Sequence, residues 1–251
     1  MNSFGVTDVG RRRTVNQDNF IIRQMSDGAL FAVVCDGMGG AAGGFEASSL
    51  ASSVFAEETE RALAPYVDGQ KKLTAQKAQR YLSHAVDMAN EAVLRRAEED
   101  EELAGMGTTL VGVLVIDGAV YAVNVGDSRM YLVSRDALTQ ITHDHSYVQF
   151  LVDIGKISED EARTSTNRNI ITRAVGTSRD TECDFFTVAA SGDAMLLLCT
   201  DGLTNMLSGG DIFAAFEGMG EDDLSSVCRE LVDSANENGG TDNITAVVIS
   251  L

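Results

Sequence analysis

Four times in this chain an apolar run meets an aspartate beside a glycine-bearing loop. "FAVVCDGMGG" stops on Asp36, "YAVNVGDSR" on Asp127 and "AMLLLCTDGL" on Asp201, while "GGTDNITAVVISL" starts its run just after Asp242. Runs this apolar and β-branched read as buried strands. A carboxylate at the end of such a strand sits at the rim of a core, where an unpaired charge is costly. One such acid is ordinary turn chemistry. Four with the same placement are a constraint on the fold. If the strand ends converge on one edge, the carboxylates repel and take up protons unless cations lie among them.

The order of elements narrows the architecture. "SFGVTDVG", "NFIIRQM" and "ALFAVVCD" read as three strands. Residues 44–63 carry apolar side chains at three- and four-residue spacing, a helix that Pro65 closes. A second long helix follows Thr74, a plausible N-cap. "TTLVGVLVID", "AVYAVNVGD" and "RMYLVSR" are separated by Asp117-Gly118 and Gly126-Asp127, which predicts a hairpin meander. A polar, helical insertion at 144–176 interrupts the strands, which resume with "CDFFTVAA" and "AMLLLCTD". Helices at about 209–217 and 221–237 precede a final strand. Strand and helix do not alternate, which excludes a doubly wound parallel sheet. The expectation is an α+β fold of two antiparallel sheets packed face to face with helices outside. A length of 251 residues suits one large domain over 1–251.

Charge and chemistry exclude several functions. A net charge of -19 opposes binding to nucleic acid or anionic lipid and enriches cations nearby. No apolar run is long enough for membrane insertion, and the first residues lack the apolar core of a secretory signal, so the cytoplasm is the expected location. Cys35, Cys183, Cys199 and Cys228 form no C-x-x-C pair and read as reduced thiols. His84, His143 and His145 do not accompany the acids. An oxygen-only donor set argues for Mg²⁺ or Mn²⁺ and against zinc. His143 and His145 read as loop hydrogen-bonding residues. Gly37-x-Gly39-x-x-Ala42 approximates a dinucleotide fingerprint, but the acid required about 20 residues on falls inside the first helix, near Glu57.

Taken in order, "RTVNQD", "DGMGG", "GTTLVGVLV", "VNVGDSRMYL", "ITHDHS", "RNIITRAVG", "LLLCTDGL" and "GGTDNITAVV" cover nearly the whole chain. This set resembles the metal-dependent Ser/Thr protein phosphatases of the protein phosphatase 2C type, in particular their compact bacterial members. The resemblance implies a four-layer α-β-β-α sandwich. It also implies hydrolysis of phosphoserine and phosphothreonine by attack of a hydroxide bridging two Mn²⁺ or Mg²⁺ ions, with a weaker third ion nearby. Asp36 is then expected to bridge the two metals, and the Gly37 carbonyl to touch one of them. Asp201 and Asp242 complete the set, and Asp18 acts through water. Asp127 and Asp201 hold the third ion, and Arg13 holds the substrate phosphate. Expected partners are phosphorylated proteins, among them a cognate Hanks-type Ser/Thr kinase, acted on by a monomer.

The departures are local. Met38 stands where many eukaryotic members carry a histidine thought to protonate the leaving alcohol, so no side-chain acid is assigned. "TSTNRN" lacks the His-Pro expected before Arg-Asn. The segment 144–176 resembles the family's flap, a mobile loop beside the active site. Arg11 and Arg12 read as ordinary surface charge. A catalytically silent phosphoprotein-binding module would need a broken metal ligand, and none is broken.

Overall fold

Alternate residues of the buried strands face two different layers. The computed structural model describes residues 1–67, 71–189, 194–217 and 223–251. Its strands are β1 (Ser3–Asp8), β2 (Asp18–Ser26), β3 (Ala29–Met38), β4 (Gly107–Thr108), β5 (Leu110–Ile116), β6 (Ala119–Val125), β7 (Arg129–Val133), β8 (Leu138–Gln140), β9 (Asp184–Val188), β10 (Met195–Cys199) and β11 (Ile244–Ser250). Its α-helices are α1 (Gly40–Leu63), α2 (Ala75–Glu99), α3 (Tyr147–Asp153), α4 (Glu159–Thr164), α5 (Asp201–Thr204), α6 (Gly209–Ala214) and α7 (Leu224–Glu237).

In β3, Leu30, Ala32 and Val34 pack between the two sheets, with Val111, Met130, Leu198 and Val247. Phe31, Val33 and Cys35 point the other way, onto Phe55 of α1 and Leu82 and Val86 of α2. In β10, Leu196 and Leu198 enter the inter-sheet core, while Leu197 and Cys199 meet Val227 and Leu231 of α7. Period-two alternation with both faces apolar therefore produces four layers, α-β-β-α. The fully buried patterns of β5 and β11 follow from the same cause.

One sheet has the order β2-β3-β5-β6-β9, with β4 paired to the end of β3; the other is β1-β11-β10-β7-β8. Every named strand pair is antiparallel. Local signals set the boundaries. The Thr74 side chain caps α2, accepting from the Lys77 amide. A 3₁₀ turn at Ala64–Tyr66, with Pro65 in it, stops α1. Asp117 and Gly118, both at positive φ, close the β5–β6 hairpin.

The expected meander fails at its second turn. β6 pairs with β5 and β9, whereas β7 pairs with β10 and β8, so at Gly126-Asp127 the chain changes sheets. Gly126 has φ +107°, and a Cβ there would press on Thr109 at 2.6 Å. The turn is therefore a close-packed seam between the two sheets. The expected helix at 221–237 begins outside the described residues, and its described part is α7. Among the described residues, no helix is long and apolar enough to cross a membrane.

Candidate active site

Antiparallel pairing brings the four strand-end acids together. β3 and β6 both run opposite to β5, so their C-terminal ends share one edge of their sheet. The end of β10 and the start of β11 share an edge of the other. Asp36 therefore lies near Asp127, Asp201 and Asp242, where the two edges meet. Asp18 opens β2 directly opposite Asp36 in the β2–β3 register. A cleft of about 380 Å³ is lined by Arg13, Asp36, Gly37, Asp127, Asp201 and Asp242, with Met38 at its wall.

The backbone holds these acids firmly. The Asp36 amide donates to Thr109 Oγ1 at 2.9 Å, and its carbonyl accepts from Thr108 Oγ1 and the Thr109 amide, each at 2.9 Å. Thr109 Oγ1 lies 2.7 Å from Ser128 Oγ, which ties the Asp36 strand to the Asp127 turn. Asp18 Oδ2 accepts from Thr200 Oγ1 at 2.8 Å and Thr245 Oγ1 at 2.7 Å. Asn205 Nδ2 donates to Asp201 Oδ2 at 2.9 Å. Gly37 donates its amide to the Gln17 carbonyl, and a Cβ there would collide with the Gly44 carbonyl. Only glycine lets the strand pass this close to α1.

The charges are out of balance. Burial, then repulsion from Asp18, Asp201, Asp127 and Asp242, pushes the Asp36 carboxyl well above its usual range. Asp127 is pushed well up by burial and by Asp201. Burial raises Asp18 to about 7 and, with repulsion from Asp242, Asp201 to about 6. Against these acids stands Arg13, whose Nη2 donates to Asp242 Oδ2 at 2.8 Å. Its side chain is 49% exposed at the cleft's rim and keeps further N–H groups free to grip an anion. Asp18 Oδ1 is buried with no hydrogen-bond partner.

These features fit a site for hard divalent cations. The donors are all oxygens, the like charges need an offset, and one buried oxygen is orphaned. Among the described residues, no group of three or more His, Cys, Asp or Glu side chains is drawn close enough to hold an ion by itself. The fit to cations rests on the oxygen donors, the like charges and the orphaned Asp18 Oδ1.

Several supporting residues escape a sequence reading. Thr200 and Thr245 hold Asp18 from across 182 and 227 residues. His145, 6% exposed, accepts from the Gly126 amide through Nδ1 at 3.1 Å and donates its own amide to the Gly126 carbonyl at 3.0 Å. Burial keeps its imidazole below the usual value, as an accepting Nδ1 requires. His145 also accepts from the Thr172 amide at 2.7 Å, so it joins the Asp127 turn to the base of the insertion. His143 lies 2.9 Å from Asp153 on the surface. Loop hydrogen bonding, the reading made for both histidines, describes them.

A second polar cluster lies next door. Arg129 grips Asp144 through Nε and Nη2 at 2.6–3.0 Å and donates to Tyr131 Oη at 3.1 Å. It floors a cavity of about 310 Å³ that shares Asp127 and Asp201 with the cleft and is roofed by α3 and α4.

Comparison with known proteins agrees with this geometry. The family described as Protein phosphatase 2C matches residues 10–246. The serine/threonine phosphatase Stp of Listeria innocua is 35% identical over 243 residues, covering 97% of this chain and 93% of its own. The crystal structure of serine/threonine phosphatase Stp1 from Staphylococcus aureus superposes with a TM-score of 0.87 at 32% identity, covering 99% of this chain and 94% of that one. The catalytic domain of the phosphatase PstP, solved in complex with 2 manganese ions, matches with a TM-score of 0.79 at 32% identity, covering 98% and 96%.

Proposed function

The chain belongs to the protein phosphatase 2C family and is a metal-dependent serine/threonine protein phosphatase; from that premise we propose how its own residues divide the work. Asp36, Asp201, Asp242 and the Gly37 carbonyl would hold two divalent cations, Mn²⁺ or Mg²⁺, with Asp18 acting through water. Asp127 and Asp201 would hold a weaker third ion. When bound, the ions supply the positive charge that makes water nucleophilic at neutral pH and offsets the phosphoryl oxygens.

The remaining steps belong to the protein. Arg13 uses its free N–H groups to hold two phosphoryl oxygens, for which a planar guanidinium is suited. Water attacks phosphorus, the phosphoester P–O bond breaks, and phosphate and the serine or threonine hydroxyl are released. Met38 carries no ionisable proton, so the leaving oxygen takes its proton from a source other than that side chain. Thr108, Thr109 and Ser128 fix the acids before substrate arrives, so that no reorganisation is needed during the reaction.

The observation that carries this reading is the imbalance of five converging aspartates against a single rim arginine, with Asp18 Oδ1 orphaned. Residues 1–251 act as one catalytic domain with a flap-like insertion at 144–176; the continuous four-layer packing supports this. The enzyme works as a cytoplasmic monomer and reverses phosphorylation by a Hanks-type Ser/Thr kinase, in keeping with the phosphatase names of its bacterial relatives. The test is hydrolysis of a phosphothreonine peptide with Mn²⁺, with Mg²⁺ and with excess chelator. Turnover in metal and none in chelator is expected; full turnover in chelator would refute the assignment.

A further inference from the structure

Arginine 168 presents a problem that the phosphatase site does not solve. Its Nε is buried with no hydrogen-bond partner. Among the described residues, neither Arg168 nor Arg163 forms an ion pair. Arg163 gives one hydrogen bond, from Nη2 to the Leu207 carbonyl at 3.2 Å. Both arginines line the 310 Å³ cavity beneath the insertion. A buried donor left without an acceptor costs stability, and a guanidinium without a counter-ion is unusual in a chain whose net charge is -19.

Asp211 of α6 attracts Arg163, but no acid lining the cavity is left to match Arg168. Asp144 is already matched by Arg129. Glu159 is on the exposed lip at the start of α4. Asp127 and Asp201 stand at the inner end, where they belong to the cluster that the cations offset. These two acids also line the reaction cleft, so the cavity and the cleft adjoin at them. A chain segment with its phosphoryl group at Arg13 therefore has an adjoining polar recess with two guanidiniums: Arg168, whose buried Nε has no acceptor, and Arg163, exposed and attracted by Asp211 but in no direct ion pair.

We propose that this recess is a subsite for a second anionic group on the same substrate segment, a phosphoryl or a carboxylate, held by Arg168 and Arg163. The proposal rests on the phosphatase reading and adds a substrate class to it: segments carrying a further negative charge close to the phosphoresidue. The chemistry is shared by the two anions, since a guanidinium fork accepts either in bidentate fashion. The insertion carries both arginines, so it selects the substrate while the strand-end acids serve the reaction.

The test uses the Mn²⁺-loaded enzyme and a series of phosphothreonine peptides. Each carries glutamate, a non-hydrolysable phosphonate analogue of phosphothreonine, or glutamine at successive positions on either side of the phosphoresidue. In at least one position, kcat/KM for the anionic peptide should exceed that of its glutamine counterpart by about fivefold or more, as expected for a charge-assisted contact that is partly solvated. A gain in both arms assigns the subsite to any anion; a gain with the phosphonate alone assigns it to a phosphoryl group. In Arg168→Gln that ratio should collapse towards one, and thermal melting checks that the variant is folded. Arg163→Gln provides the same ratio should Arg168→Gln fail to fold. Absence of any gain along the series, or a gain that survives in the folded arginine variants, would overturn the subsite. Failure to hydrolyse any phosphopeptide would instead strike the phosphatase reading, and the subsite with it.

Discussion

Two groups of acids at the edge of the core lie side by side in this molecule and are treated in opposite ways. Asp144 is 7% exposed and is gripped by Arg129 through two nitrogens, with Gln140 Nε2 as a further donor at 3.0 Å. Asp36 has no such partner for its carboxylate and faces four other aspartates. Asp144 is buried and Asp36 half-buried, so it is pairing rather than depth that sets the two apart. The Asp144 charge is paired, and its site is part of the scaffold that carries the Asp127 turn. The Asp36 charge has no cationic partner, and on the proposed reading cations complete its site. On that reading the difference separates a structural salt bridge from a reactive centre in adjoining polar regions.

Substitution should separate the two sites most sharply. Asp36→Asn should lower kcat/KM on a phosphopeptide by at least about a thousandfold, a barrier increase of about 4 kcal/mol. It should not lower the melting temperature of the metal-free protein, because it removes a carboxylate that its neighbours repel. Asp144→Asn should do the reverse. It leaves Arg129 unpaired and should destabilise the fold by about 3 kcal/mol, the lower end for a buried pair, because Arg129 is 28% exposed. Matching losses of activity and stability in the two variants would dissolve the distinction.

Smaller effects sharpen the reactive half of the comparison. Arg13→Ala should reduce kcat/KM at least about tenfold, since a charge-assisted contact is worth roughly 1.5–3 kcal/mol. Arg11→Ala should do far less, and equal effects would mean that the wrong arginine has been assigned. Asp127→Ala should slow phosphopeptide hydrolysis about tenfold but an aryl phosphate less, because the better leaving group depends less on a proton. A lowered melting temperature with unchanged turnover at saturating Mn²⁺ would reduce Asp127 to a turn-forming residue.

The smallest effect is one of pH on the metal-free protein. Asp18 and Asp201 have folded-state values of about 7 and about 6, above the unfolded value near 4. The folded state therefore retains protons that the unfolded chain releases. Stability from these groups is full below about pH 4 and is lost as pH rises through 6 and 7. His145, held below its usual value, works the other way but is a single group against several acids. From pH 5.5 to 8 the metal-free melting temperature should fall by about 6–12 °C, for a loss on the order of 3 kcal/mol. Saturating Mn²⁺ should flatten the fall. A flat metal-free profile would mean that the acids are compensated without metal.

The placement of the acids was readable because each lies at one end of an apolar run, and such runs have few folds open to them. The two sheets with helices outside were readable because strands and helices come in blocks rather than alternating, and the four layers because the motifs resemble a family with that sandwich. The sheet change at Gly126-Asp127 was not. A glycine turn between two apolar runs looks the same whether the strands pair or part, and only the occupation of the β6 edge by β9 decides it. β8, three residues with exposed Thr139 and Gln140, offers too little pattern to announce itself. Arg13 was read as a phosphate ligand, yet its contact with Asp242 joins residues 229 apart. The roles of Thr200, Thr245 and His145 likewise depend on register between distant strands. Of the arginines in the insertion, the sequence shows charge but not the absence of a partner.

The central claim is that the uncompensated acids are a cation site, and calorimetric titration of the metal-free protein with Mn²⁺ tests it without reference to turnover. The wild type should bind two ions, with a weaker third that disappears in Asp127→Ala, and Asp36→Asn should lose at least one of the tight pair while remaining folded. Saturable binding of Mn²⁺ that is the same in the wild type and in Asp36→Asn, or no binding at all, would contradict the account.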